Sequence, residues 1–283
     1  MLILLSAGPS LAADPGPVRV ATRFGSTPVL ELPLSVIELA LANAPQPRKL
    51  EIVAMDGATQ LRLLTMLENG TDEFDLYFAG FSRERAETMI QLPYPLTQGL
   101  LGLRVLVVTD EQPAPSSEAA LKQQWQFGSG LNWFDTDILE HGGFNIVESD
   151  YANLWPMLER GRFDAFPRGV AEAFLELDLQ AQQGRQFYVS PDWLIAYPAD
   201  FFIYLNKADA ELAAQLQAGY LHAQANGSLD RLYQNHPAIR EARDWLNNTD
   251  YQLIWLDNPF IDGQLPNIPR RYWIPARHFN DLD

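Results

Sequence analysis

The residues best placed for binding chemistry lie near the middle of the chain, where Gly128-Ser129-Gly130 falls between an expected strand and an expected helix. Such a stretch can turn several backbone N–H groups toward an anion, with the Ser129 hydroxyl beside them. A plain tight turn is the alternative use of the same three residues. Asn132, Trp133 and Asp135 follow in the first turn of that helix, and Trp133 offers either a stacking face for a ligand or bulk for the core. Reaction motifs are missing around them. The chain has no cysteine, which excludes disulfides, thiol nucleophiles and thiolate metal sites, and its four histidines are too scattered for a zinc site. It contains no Gly-x-Ser-x-Gly elbow, no Gly-rich phosphate loop and no His-Glu-x-x-His helix. No metal, cofactor or catalytic residue is expected; a hydrolase or lyase using a pair of carboxylates hidden among the many acids is the enzyme reading left open.

The 36 acidic and 20 basic side chains give a formal charge of −16. A surface of that sign repels nucleic acid and anionic lipid, so neither is expected as a partner. Any anion that binds must meet a local cluster of Arg, Lys or backbone N–H groups, against the overall field. The 283 residues, 47% of them apolar, suffice for two lobes with cores of their own, because single cores stop growing near about 250 residues. Residues 1–12 read as the apolar half of a secretory signal without its basic start, with Ser10 and Ala12 at the small-residue positions and cleavage expected after Ala12. A frayed apolar terminus is the alternative. Nowhere else does an uninterrupted apolar run approach the roughly 20 residues that a membrane helix needs.

The elements that must position these residues alternate. A β-like run at 18–24 is followed by an apolar helical stripe through Leu34, Ile37, Leu39 and Leu41, then a strand at 49–55, a helix at 60–68 and a strand at 74–79. After the continuous apolar strand at 103–109, residues 111–117 read as a connector. A second set follows: a strand near 126–128, a helix from Asn132, a strand at 145–147, a helix ending at Gly161, a strand at 163–166 and a helix at 170–183. Residues 201–207 look like a return strand, leading to a helix at 210–226, and the Pro- and aromatic-rich stretch from Asp257 reads as a tail over the first lobe. The order is βαβ throughout. Lobe 1 is expected from 18–108 and 204–283, lobe 2 from 109–203, joined by two hinge strands with a ligand cleft between them.

Several stretches in this order resemble one family. Phe74-Asp75-Leu76-Tyr77-Phe78-Ala79-Gly80-Phe81-Ser82-Arg83-Glu84-Arg85, then Tyr94-Pro95, then Gly102-Leu103-Arg104-Val105-Leu106-Val107-Val108, are similar to the first-lobe signature of family-3, amino-acid-type solute-binding proteins of bacterial uptake transporters. Gly128-Ser129-Gly130, Leu158-Glu159-Arg160-Gly161-Arg162-Phe163-Asp164-Ala165 and Ala225-Asn226-Gly227-Ser228-Leu229 continue the resemblance to about residue 236. It implies a type II periplasmic-binding fold, two α/β lobes on two hinge strands. It also implies a ligand site. Arg85 falls on the arginine that grips a ligand carboxylate with its planar fork, with Arg83 as the rival if the register slips. Gly80 and Ser82 sit at the start of the same short helix, and Phe24, with Arg23 beside it, falls where the family's opening loop forms a wall. The sequence departs from the pattern at Asp164-Ala165-Phe166-Pro167-Arg168-Gly169, where Arg168 stands in place of the acid that receives an ammonium. A cleft with Arg85 on one lobe and Arg168 on the other is expected to favour a ligand with two anionic groups, or one anion held from both sides; the alternative is that Arg168 pairs with Asp164 or Glu172. The reading is an exported, periplasmic, monomeric solute-binding protein that takes an anionic or zwitterionic solute, delivers it to an ABC transporter permease and catalyses nothing. A sensing module docked to a membrane receptor is the alternative.

Overall fold

The computed structural model describes residues 16–23, 28–110 and 113–261; the expected signal remnant, Phe24 and most of the expected tail lie outside them. In chain order the first part contains β1 (Val18–Thr22), α1 (Glu31–Ala42), β2 (Leu50–Ala54), α2 (Gln60–Asn69), β3 (Leu76–Gly80), α3 (Arg83–Thr88) and the short β4 (Ile90–Gln91). The middle contains β5 (Leu103–Val108), α4 (Glu118–Gln124), β6 (Gln126–Gly130), α5 (Phe134–His141), β7 (Asn145–Ser149), α6 (Tyr151–Glu159), β8 (Phe166–Gly169), α7 (Val170–Gln182) and β9 (Tyr188–Ala196). The last part contains β10 (Phe201–Leu205), α8 (Ala210–Ala225), α9 (Ser228–Asn235), α10 (Pro237–Asn248) and β11 (Gln252–Trp255).

Two main sheets result. The first runs β2-β1-β3-β10-β4, with β1 parallel to β2 and β3 and with β10 antiparallel to its neighbours. Its middle strand, Leu-Tyr-Phe-Ala-Gly, is buried along its whole length, as a strand covered on both faces requires. Helix α1 crosses α8 so closely that a Cβ on Gly219 would lie 1.9 Å from the Ala40 carbonyl oxygen. The second sheet runs β11-β9-β5-β8, and a parallel pair, β6-β7, is tied to it by a bridge between Phe127 and Ala165. Strand β5 divides the two cores by its alternation: Leu103, Val105 and Val107 join one, Leu106 and Val108 the other.

The chain passes between the sheets after β4, between β9 and β10, and again before β11, and the first two crossovers are bound together. Tyr197 N–H donates to the Gly102 carbonyl at 3.0 Å. The buried Asp200 carboxyl accepts from Thr97 N (2.9 Å), Thr97 Oγ1 (2.8 Å) and Gly99 N (2.5 Å). Two features depart from the sequence reading. Strand β9 was not expected, because Pro191 interrupts its pattern; the chain accommodates it at an exposed position where the β5–β9 register shifts. The segment assigned as 204–283 to the first lobe is divided: α8 packs on α1, but β11 pairs in parallel with β9, and Ile254 and Leu256 enter the second core. Among the described residues no helix is long and apolar enough to cross a membrane.

Candidate functional site

A cavity of about 370 Å³ opens between the two sheets, within the size range of small-molecule sites. One wall comes from the first sheet: Thr22 and Arg23 at the end of β1, Tyr77 and Phe78 on β3, and Phe201 at the start of β10. The other comes from the second sheet and its helices. It includes Arg104 on β5, Trp133, Phe134 and Asp135 at the start of α5, Tyr151 at the start of α6, Arg168 on β8, Glu172, Glu176 and Gln180 on α7, and Gln183 at its C-terminal cap. Residues three and four apart share a helix face, so α7 turns one polar stripe into the cavity from within an otherwise apolar helix. Three members of that stripe, Glu172, Glu176 and Gln180, are buried.

Two buried guanidinium groups and three carboxylates form one network on the second wall. Arg104, 1% exposed, is ion-paired with Asp135 and, at 3.3 Å, with Glu172, while its Nε donates to the Tyr197 hydroxyl at 2.7 Å. That hydroxyl donates in turn to Asp135 Oδ1 at 2.6 Å. Arg168 makes the two-pronged pair with Glu176, Nε to Oε2 at 2.6 Å and one terminal nitrogen to Oε1 at 2.8 Å, and lies 3.2 Å from Glu172. The Tyr151 hydroxyl completes the shell of Glu176 at 2.7 Å. Burial alone favours the neutral form of each arginine, yet their neighbours together outweigh it, Asp135, Tyr197 and Glu172 about Arg104 and Glu176, Glu172 and Tyr151 about Arg168, so both pKa values rise above the ordinary arginine range. Burial also pushes the Glu176 carboxyl up, against the opposing pull of Arg168. The first wall is simpler. Burial raises the Tyr77 hydroxyl to about 12, partly offset by the positive charges of Arg23 and Arg85, and the buried Thr22 Oγ1 has no hydrogen-bond partner among the described residues.

No family model matches the chain, and no curated protein matches it in sequence. Solved structures do. An amino-acid ABC transporter substrate-binding protein from Streptococcus pneumoniae, bound to L-arginine, superposes with a TM-score of 0.57 at 16% identity, covering 80% of this chain and 96% of that one. The chain has the periplasmic-binding-protein fold. A histidine kinase sensor domain with similarity to periplasmic binding proteins gives a TM-score of 0.55 at 14% identity, covering 87% of this chain and 98% of that one. An ancestral amino-acid-binding protein, described as a precursor of cyclohexadienyl dehydratase, gives 0.54 at 16% identity, over 77% of this chain and 94% of that one.

Of the residues singled out in the sequence, the structure brings Arg23, Trp133, Asp135 and Arg168 to the cavity and leaves Gly80, Ser82, Arg85, Ser129 and Gly130 outside its lining. The Arg168 guanidinium carbon lies 5.0 Å from the Trp133 ring centre. Arg168 is paired there with Glu176 and Glu172, so its fork is already engaged by the protein's own carboxylates. Arg85 is not among the lining residues; it is half-buried on α3 and donates to the Gly80 carbonyl at 3.1 Å. Ser82 is the N-cap of α3 and accepts from Arg85 N at 3.5 Å. Gly80 leaves room for a ring: a Cβ there would lie 2.6 Å from Phe134. Gly128-Ser129-Gly130 is not a turn. It is the end of β6, paired with 147–149 on β7, and this ladder and the Ala165 carbonyl occupy the backbone there. Ser129 Oγ contacts Thr136 Oγ1 at 2.8 Å, and Gly130 makes space for Trp133, whose ring would lie 2.1 Å from an added Cβ. Phe24 lies outside the described residues.

Among the cavity residues, Arg104 and Glu176 were not singled out in the sequence, and Asp135 and Glu172 were named only beside Trp133 and as a possible partner of Arg168. Two signals were present: a single arginine inside an apolar strand at 103–108, and acids four and eight positions after Arg168 on a helix that is otherwise mostly apolar.

Proposed function

We propose that this chain is an exported solute-binding protein that captures a small zwitterionic or anionic solute of amino-acid type between its lobes, as a monomer, in the periplasm, and presents it to an ABC transporter permease. Residues 18–99 and most of 201–250 form one lobe, and 103–196 with β11 the other. The observation that carries this reading is the cavity itself, walled from both sheets beside two crossovers that hydrogen-bond to each other. Charge supports an amino-acid-type ligand. Arg23 lies on the first wall, and on the second three carboxylates outnumber two guanidinium groups, so a solute with separated charges finds a complement at each end. Tyr77, Phe78 and Phe201 give its apolar part a surface. A ligand that touches both walls shifts the open–closed equilibrium by its differential affinity for the closed state.

Turnover is not expected at this site. A general acid or base must be able to reach the substrate proton, whereas both oxygens of Glu176 are engaged by Arg168 and one of them also by Tyr151. The likeness to a histidine kinase sensor domain favours a second use of the same capture step, in which the closed form docks on a membrane receptor. Native mass spectrometry of gently purified protein, followed by thermal shift with a panel of amino acids and dicarboxylates, tests the capture step. One chemical class should raise the melting temperature while remaining unconsumed, because a ligand of the native state stabilises it by mass action. Steady consumption of a panel member by pure protein would replace binding with catalysis.

A further inference from the structure

We propose that Arg168 is a built-in occupant of a cation cage, and that the cage would take a free guanidinium group if Arg168 were shortened. The inference rests on the solute-binding reading only for its consequence for the ligand; the cage stands on its own geometry. Three rings surround the Arg168 guanidinium carbon, with centres 5.0 Å (Trp133), 5.1 Å (Phe166) and 5.8 Å (Tyr151) away. Such distances place a cation within the attraction of the ring faces. At its edge, Glu176 supplies two oxygens at 2.6 and 2.8 Å, and Glu172 lies at 3.2 Å. Flat rings around a planar cation, and a carboxylate meeting its fork, are the two features by which a protein selects a guanidinium over a compact ammonium.

The cage borders the cavity, since Trp133, Tyr151, Arg168, Glu172 and Glu176 all line it. A side chain that reaches in from β8 therefore fills the position that a guanidinium-bearing solute would need. The consequence is selectivity: the native solute has to be one without a guanidinium group, and residue 168 is the determinant that excludes it. Shortening the side chain leaves Glu176 buried without its partner, and a diffusible guanidinium replaces both the charge and the planar fork.

The test is chemical rescue of Arg168→Ala, with ethylguanidinium as the probe and ethylammonium as the control cation, read by thermal unfolding of the full chain. At about 10 mM ethylguanidinium, roughly ten times a millimolar dissociation constant, the variant should gain about 3 °C or more in melting temperature, and wild type should gain nothing. Ethylammonium should rescue less. Equal effects of ethylguanidinium on variant and wild type would overturn the proposal. If the variant folds only when ethylguanidinium is present during refolding, that supports the cage; if it fails to fold with or without the probe, wild type decides. A rise in wild-type melting temperature with L-arginine or ethylguanidinium would show that the cage is not filled from within, whereas no rise with either fits an occupied one. Failure of every panel solute to bind wild type would count against the solute-binding reading and leave the rescue result standing.

Discussion

The two walls of the cavity are built on opposite plans. On the second wall the charged groups are already joined to one another: Arg104 to Asp135, Glu172 and Tyr197, and Arg168 to Glu176 and Glu172. The first wall presents aromatic faces, Arg23 and the buried hydroxyl of Thr22, and among the described residues no network of joined guanidinium groups and carboxylates is seen there. A preassembled ionic wall holds its shape without a ligand, because a buried charge that moves away from its partner loses compensation it cannot recover from water. Recognition on that side is by shape and by the small charge imbalance that remains. The difference teaches that a buried arginine in a binding cleft is not automatically a ligand anchor; its partners must be counted first.

Breaking the second wall should have the largest effect. Glu176→Ala leaves Arg168 without its two-pronged partner, and a loss of about 3–5 kcal/mol in urea unfolding is expected. Loss below about 1 kcal/mol would mean that water reaches the network and that the wall is not preassembled.

The crossovers that join the walls supply the next effect. Burial raises the Asp200 carboxyl from an ordinary 3.8 to about 7, despite the donors from Gly99 and Thr97 that favour its charged form. The folded chain then holds this proton at pH values where the unfolded chain has lost it. Stability from the protonated form is complete below about pH 4 and is lost as pH rises through about 7. Asp200→Asn should flatten that slope, by an amount on the order of 2–4 kcal/mol between pH 4 and pH 7.5. Urea titrations of wild type and variant at the two pH values measure it, and identical slopes would place the charge in contact with solvent.

Packing at the second wall gives a smaller effect. Gly130→Ala puts a Cβ into the Trp133 ring, which also lies over Arg168, and a cost of about 1–3 kcal/mol is expected from displacing the ring. An unchanged Tm would show that Trp133 can shift freely. The smallest effect belongs to Arg85. Its guanidinium donates to the Gly80 carbonyl on its own side of the molecule, so Arg85→Ala should cost under about 1 kcal/mol and leave solute affinity within about twofold. A loss of tenfold or more, about 1.4 kcal/mol, would return Arg85 to the ligand.

The alternation of strands and helices was legible because each element carries its own period: 103–108 is apolar at every position but Arg104, and 170–182 keeps a helical stripe. Strand β9 was hidden by Pro191, and α9 and α10 by their low mean hydropathy. Arg168 could be singled out because it stands where the resembled family has an acid. Its partners could not be weighed against the cleft, since spacing along a helix says which residues share a face but not which face meets the cavity. Arg104 was harder still. It meets Tyr197 93 positions further along the chain, and no local pattern encodes that contact.

The claim that a solute is held between the walls is tested most directly by titration calorimetry with the panel solute that binds most tightly, using one variant from each wall. Phe201→Leu alters the first and Trp133→Leu the second, and both residues line the cavity while being only partly buried. The expected result is one site in wild type and a loss of about tenfold or more in affinity in each variant, with m-values in urea unchanged. Binding within about twofold of wild type in both variants would contradict it and place the ligand elsewhere on the molecule.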